Sequence, residues 1–155
     1  MSNRTYRGFT LLEMMLVVVI IALIAAIAIP KFSRGAAGAN DSAVAANLAV
    51  MRNAVDMFQI EHGNAYPSVA NFAAQLTQYT DAVGNAQATK DATHIYGPYL
   101  RSVPALPVGL NKGSTGVAAA AGQGVGWIYN ATTGTIQTNT TATEVDAAGN
   151  AYTTY

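Results

Sequence analysis

Arg7-Gly8-Phe9-Thr10-Leu11-Leu12-Glu13 opens an apolar run that continues to Ile29 and stops at Pro30. From Leu11 to Ile29 the run is 19 residues long, with Glu13 as its only charge. At about 1.5 Å per residue a helix of that length covers roughly 28 Å, close to the ~30 Å hydrocarbon thickness of a bilayer. The run therefore predicts a membrane-spanning helix. Arg4 and Arg7 precede it and Lys31 and Arg34 follow it, a small bias that favours a cytoplasmic N-terminus. A carboxylate inside such a helix is disfavoured by about 2.5–3.5 kcal/mol at the membrane centre, and less near an end. No basic residue within the run can serve as its partner. A secretory signal peptide is an alternative reading, because Ala26-Ile27-Ala28 fits a small-x-small cleavage pattern. The length of the run and the position of Glu13 speak for an anchor.

Composition narrows the rest. The chain has 155 residues, 51% of them hydrophobic and only 10% charged, so one modest domain with an appendage is expected. Eight basic and eight acidic side chains cancel, which gives no basic footprint for nucleic acid. The absence of cysteine removes disulfides, zinc-thiolate sites and thiol nucleophiles. With two histidines and no Gly-rich phosphate loop, no nucleophile, base and orienting group can be assembled, so an enzyme is not expected.

Gly8-Phe9-Thr10-Leu11-Leu12-Glu13, behind a short basic leader and ahead of an unbroken apolar helix that ends near Pro30, resembles the processing motif of type IV pilins and type II secretion major pseudopilins. The resemblance implies that a prepilin peptidase removes residues 1–8 by cutting between Gly8 and Phe9, and that the new amine on Phe9 is N-methylated. It also implies that Glu13 pairs with the N-terminal amine of a neighbouring subunit in a homopolymeric helical filament, drawn from the bacterial inner membrane by an assembly platform. The globular part would face outward, and the product would be an extracellular pilus or a periplasmic pseudopilus. The implied fold is the α+β pilin fold, in which a long N-terminal helix packs by its C-terminal half on a small antiparallel sheet domain.

The physics of the pairing stands apart from the family. A buried ammonium and a buried carboxylate are each costly alone, and joining one subunit's acid to another's amine relieves both and fixes axial register. Gly8 lacks a Cβ, which allows a protease to approach the backbone closely. Without the motif, Phe9 reads as a helix-start residue packing in lipid.

The expected organisation is residues 1–8 as leader, 9–29 as membrane and filament-core helix, 30–62 as a kinked amphipathic continuation, and 63–155 as a globular domain. Pro30, Gly35 and Gly38 predict a helix break, since proline removes a hydrogen bond and each glycine lowers propensity by about 1 kcal/mol. That zone is either a linker between two helices or, by the resemblance, a stretch that extends in the filament. After Asp41 or Ser42, Val44, Leu48, Met51, Val55 and Phe58 form one apolar stripe, with Asn47, Arg52, Asp56 and Glu61 off it. Gly63 terminates the helix, and His62 has a structural reason to stand beside the last turn.

Phe72, Leu76 and Tyr79 predict a second helix over 69–79, capped by Ser68, followed by a polar surface loop over 80–93. Gly97-Pro98-Tyr99-Leu100, Pro104, Pro107 and Gly109 resemble a loop of major pseudopilins, although Leu106 and Val108 stand where a polar or acidic residue is expected. Val125, Trp127 and Tyr129, a turn over 130–134 and the β-branched run 135–140 predict a hairpin. In the tail, Glu144, Asp146 and Asn150 are candidate calcium ligands, a site some pseudopilins carry, and no other cofactor is expected. Asn130-Ala131-Thr132 and Asn139-Thr140-Thr141 fit the N-glycosylation tripeptide, a pattern that arises often by chance in a Thr-rich chain.

Overall fold

The computed structural model describes residues 9–155, apart from the side chains of residues 30 and 32–37. Gly8 and the rest of the leader, with Arg4 and Arg7, lie outside the described residues. Helix α1 spans Leu11–Glu61 and α2 spans Phe72–Thr77. The strands are β1 (Tyr79–Thr80), β2 (Ala86–Gln87), β3 (Gly116–Ala118), β4 (Val125–Asn130) and β5 (Thr135–Thr138), and a 3-10 turn closes the chain at Tyr152–Thr154.

Contacts divide the chain into two units, Met1–Ala37 and Gly38–Tyr155. The part of α1 from Gly38 onward is grouped with the globular unit, in line with the expectation that the helix packs by its C-terminal half. The expected break at Pro30, Gly35 and Gly38 is corrected: all three lie within the helical assignment. The physical reason is arithmetic. Proline deletes a single N–H donor, and the i to i−4 bonds on either side of it remain available to carry the backbone.

In the first unit, Leu11–Ile29 has a mean hydropathy of 3.0 and none of its residues is buried within the chain. An uncovered apolar cylinder of this size requires lipid or other helices around it.

In the second unit, the predicted stripe is the core. Val44, Leu48, Met51 and Val55 are fully buried and Phe58 nearly so, joined by Phe72, Leu76, Leu106, Trp127, Tyr129 and Ile136. α1 ends in a Schellman arrangement, with Gly63 at φ +62° and the Asn64 N–H donating to Gln59 O at 2.9 Å. Buried His62 stacks on Phe58 with ring centroids 3.8 Å apart. Its Nδ1 bonds Phe58 O at 2.8 Å, and its Nε2 meets the Thr80 hydroxyl at 3.0 Å, so packing accounts for it. Leu106 and Val108 are apolar for the same reason, since both are buried in this core.

The sheet β3-β4-β5 is mixed rather than purely antiparallel. β4 and β5 form the predicted hairpin, with Trp127 opposite Thr138 and Asn130 opposite Thr135, whereas β3 pairs parallel to β4. A parallel neighbour so close in sequence is feasible because a three-residue strand rises only ~10 Å, and the small-residue loop 119–124 can run back along it. Two other expectations shift. α2 is shorter than residues 69–79 because Gln78 turns to extended backbone, which places Tyr79 in β1. Asn71 rather than Ser68 occupies the cap position, and the Ser68 hydroxyl accepts the Asn71 N–H at 3.2 Å. The 80–93 loop holds β2, which pairs antiparallel with β1. Arg52 covers the outer edge of β5, with Nη2 donating to Ile136 O at 3.2 Å and to Tyr155 O at 2.6 Å.

Two substitutions test this packing. Gly134 has φ +70°, and a Cβ there would sit inside the Tyr66 ring, so Gly134→Ala is expected to cost about 2 kcal/mol or more, read as a fall in thermal midpoint. The Tyr129 hydroxyl is buried without a hydrogen-bond partner among the described residues, and burial pushes its pKa up to about 12. Tyr129→Phe removes an orphaned polar atom, so the thermal midpoint should stay level or rise.

Candidate functional site

At the start of α1 the side chains of Thr10 and Glu13 form a reciprocal pair. Glu13 N donates to Thr10 Oγ1 at 3.2 Å, while Glu13 Oε2 accepts from the Thr10 N–H and from the Thr10 hydroxyl, each at 2.7 Å. This is a capping box, in which a threonine before the helix and an acid three residues on satisfy each other's donors. Met14 N donates to Thr10 O at 3.2 Å, the first turn that the cap initiates. Phe9 stands immediately before the cap and is 81% exposed. Only Oε2 of the carboxylate is used among the described residues. Among the described residues, Glu13 Oε1 has no hydrogen-bond partner and no salt bridge reaches Glu13. The carboxylate is held in position by Thr10 through Oε2. Thr10 is the residue that sequence reading missed as a partner of Glu13; the signal was the Thr-x-x-Glu spacing.

The candidate calcium residues of the tail are engaged in hydrogen bonds of their own turns. Asp146 Oδ1 accepts from Ala148 N and Asn150 N, both at 2.8 Å, and Oδ2 from Asn150 Nδ2 at 3.1 Å and the Tyr155 hydroxyl at 2.7 Å. Asp81 makes the same turn. Its Oδ1 accepts from Val83 N and Asn85 N, both at 2.9 Å, and its Oδ2 from Asn85 Nδ2 at 2.7 Å. Asp81-Ala82-Val83-Gly84-Asn85 and Asp146-Ala147-Ala148-Gly149-Asn150 are one pentapeptide pattern used twice, with Gly84 at φ +88° and Gly149 at φ +90°. Such a turn needs glycine at the fourth position because the chain there enters the left-handed region. Glu144 is committed elsewhere, with Oε1 accepting from Leu110 N and Oε2 from Thr141 N, both at 2.6 Å. No group of three acids or histidines gathers among the described residues. As arranged, Glu144 and Asp146 each organise a turn of the tail.

The tail is also tied to α1. The Tyr152 hydroxyl donates to Asp41 Oδ1, and Ala147 N donates to Asp41 Oδ2 at 3.0 Å. The Tyr155 hydroxyl, then Asn150, hold the Asp146 carboxyl down to about 2, against 3.8 when unperturbed. A depressed carboxyl contributes stability that is present above its unfolded pKa and is lost as pH falls through the folded one. The gap in thermal midpoint between the wild-type chain and Asp146→Asn should therefore narrow between pH 4 and pH 2. A gap independent of pH would show that the charge of Asp146 does not matter.

Residues 3–29 match the family described as the prokaryotic N-terminal methylation motif. The type II secretion system core protein G of Aeromonas hydrophila is 28% identical over 109 residues, covering 70% of this chain and 72% of that protein. The protein of the same name from Klebsiella pneumoniae is 29% identical over 103 residues, covering 66% and 69%. The type IV wide pilus major component PilA4 of Thermus thermophilus is 40% identical over 65 residues, covering 42% and 49%. No solved structure matches the chain. The methylation motif, these relatives, the apolar span and the α+β architecture together support a type IV pilin or major pseudopilin.

Proposed function

We propose that the chain is a structural subunit, not an enzyme, that polymerises through its N-terminal helix into a helical filament of the type IV pilus or type II secretion pseudopilus kind. The observation that carries this reading is the uncovered apolar helix Leu11–Ile29 with one fixed carboxylate at its start. Prepilin peptidase cuts between Gly8 and Phe9, and the amine of Phe9 is methylated while remaining a cation. Before assembly, the helix is stored in the inner membrane with the N-terminus cytoplasmic and the globular unit outside. An inner-membrane platform then passes subunits to a growing filament, where Glu13 meets the amine of a neighbour's Phe9. Lipid is exchanged for other helices, and the ion pair selects the axial register. The stretch from Pro30 to Gly38, helical in the single chain, is where a filament can extend, since its missing donor and its glycines make it the cheapest part of α1 to unwind.

Between the two machines, the secretion pseudopilus is favoured by the two long matches, 109 and 103 residues to the Aeromonas and Klebsiella pneumoniae secretion proteins, although other secretion proteins match over 62–68 residues, as the pilus component does over 65. Intact mass and N-terminal sequencing of the membrane-extracted protein test the core of the proposal. A mature start at methylated Phe9 supports it, and a start at Ile29, as left by an ordinary signal peptidase, overturns it.

A further inference from the structure

The sequence carries two Asn-x-Thr tripeptides, and the fold treats them in opposite ways. Asn139 is 5% exposed, and its Nδ2 donates to Val125 O at 2.8 Å, tying the end of β5 to the start of β4. An amide nitrogen committed to a buried carbonyl is not open to chemistry. Asn130 ends β4 at an exposed position, where the chain turns through residues 131–134 into β5. Its Oδ1 accepts from the Thr132 N–H at 2.9 Å and, more weakly, from the Thr133 N–H at 3.3 Å. The carbonyl side of the amide thus faces into the turn, and Nδ2 has no hydrogen-bond partner among the described residues. Thr132, the residue that completes the tripeptide, is exposed as well. Beside them lies an open groove of about 580 Å³ whose lining includes Val69, Ala131, Thr132, Thr135 and Gln137. Its mixture of hydroxyl, amide and small apolar surface suits a pyranose ring, which presents hydroxyls at its rim and C–H groups on its face.

We propose that Asn130 is the acceptor of an N-linked glycan and that Asn139 is not. The donor class is an oligosaccharide linked through its anomeric carbon to a polyprenyl pyrophosphate. Asn130 Nδ2 attacks that carbon, the bond from C1 to the pyrophosphate oxygen breaks, and the polyprenyl pyrophosphate leaves with the bonding electron pair. The proton lost from Nδ2 passes to a base of the transferase, so the step balances without an oxidant or reductant. The hydrogen bond from the Thr132 N–H to Oδ1 fixes the amide plane so that Nδ2 points away from the turn. The proposal rests on the reading above that the globular unit is carried across the membrane, since acceptor tripeptides are modified on exported surface loops.

The test is peptide mapping and intact mass of the subunit purified from its native cells, as wild type, Thr132→Ala and Thr141→Ala. Both substitutions keep the asparagine and the backbone donors while destroying one tripeptide each. The expected result is a glycan on the peptide containing Asn130, its complete loss in Thr132→Ala, and an unchanged glycan in Thr141→Ala. A mature subunit that begins at Phe9 yet carries a bare Asn130 overturns this proposal and leaves the filament reading standing. A glycan on Asn139 overturns it equally. A subunit beginning elsewhere than Phe9 with a bare Asn130 overturns both.

Discussion

Glu13→Ala is expected to leave cleavage after Gly8 intact and to reduce filament yield by about a hundredfold to a few thousandfold. The magnitude follows from leaving the neighbour's ammonium buried without a counter-ion, which costs about 3–5 kcal/mol, and about 1.4 kcal/mol corresponds to a factor of ten in an association constant. Alanine also removes the acceptor of the capping box, so that single variant mixes two effects. The cap accounts for about 1 kcal/mol of helix stability. Glu13→Gln separates them, because its amide oxygen can still accept from the Thr10 N–H and hydroxyl that Glu13 Oε2 now serves, while the charge is gone. Filament yield measured by shearing and sedimentation should fall nearly as far in Glu13→Gln as in Glu13→Ala. If Glu13→Gln assembles like the wild type, Glu13 is a helix cap, and the ion pair has no part in assembly.

The same residue shows what a sequence reveals and what it conceals. A lone acid in an apolar run is conspicuous because its cost is large, and it leads directly to a search for a cation outside the run. The partner within reach was a threonine, visible as Thr10-x-x-Glu13 but eclipsed by the question of charge. In the globular unit, the stripe from Val44 to Phe58 and the hairpin of β4 and β5 were legible because both follow simple periodicities that burial enforces. The pairing of β3 was not, since a three-residue strand of Gly116, Val117 and Ala118 has no period to read and its partner is chosen by tertiary contact. The calcium candidates show a third kind of limit. Asp146 and Asn150 read by residue type as cation ligands, and the turn they also build shows in the sequence through the repetition of the pentapeptide at Asp81–Asn85. Pro30, Gly35 and Gly38 mark a real weakness in propensity, but propensity decides a boundary only when nothing else holds the backbone, and the single chain stays helical there.

Trp127→Ala is expected to be the most damaging substitution in the globular unit, at about 3–5 kcal/mol, which for a unit of this size lowers the thermal midpoint by roughly 15 °C or more. Trp127 is fully buried in the central strand of the sheet, and its indole Nε1 donates to Pro104 O at 2.8 Å. Truncation empties the largest buried side chain and orphans that carbonyl at the same time. The upper part of the range is expected because the walls cannot move in to fill the void. Gly126, next in β4, packs its backbone against the Ser114 carbonyl so closely that a Cβ would not fit, and Gly116 of β3 does the same against the Gly124 carbonyl. A strand pinned by backbone contacts on that side has little freedom to collapse, and residual cavity volume is what raises the cost of a large-to-small change. Trp127→Phe retains much of the ring volume and loses only the donor, so it should cost about 1–2 kcal/mol. Far-UV circular dichroism is the appropriate readout, since Trp127 is the chain's one tryptophan and both variants lose its fluorescence. A cost below about 1.5 kcal/mol for Trp127→Ala would mean that the sheet relaxes into the space, and that these glycine contacts do not fix the position of β4.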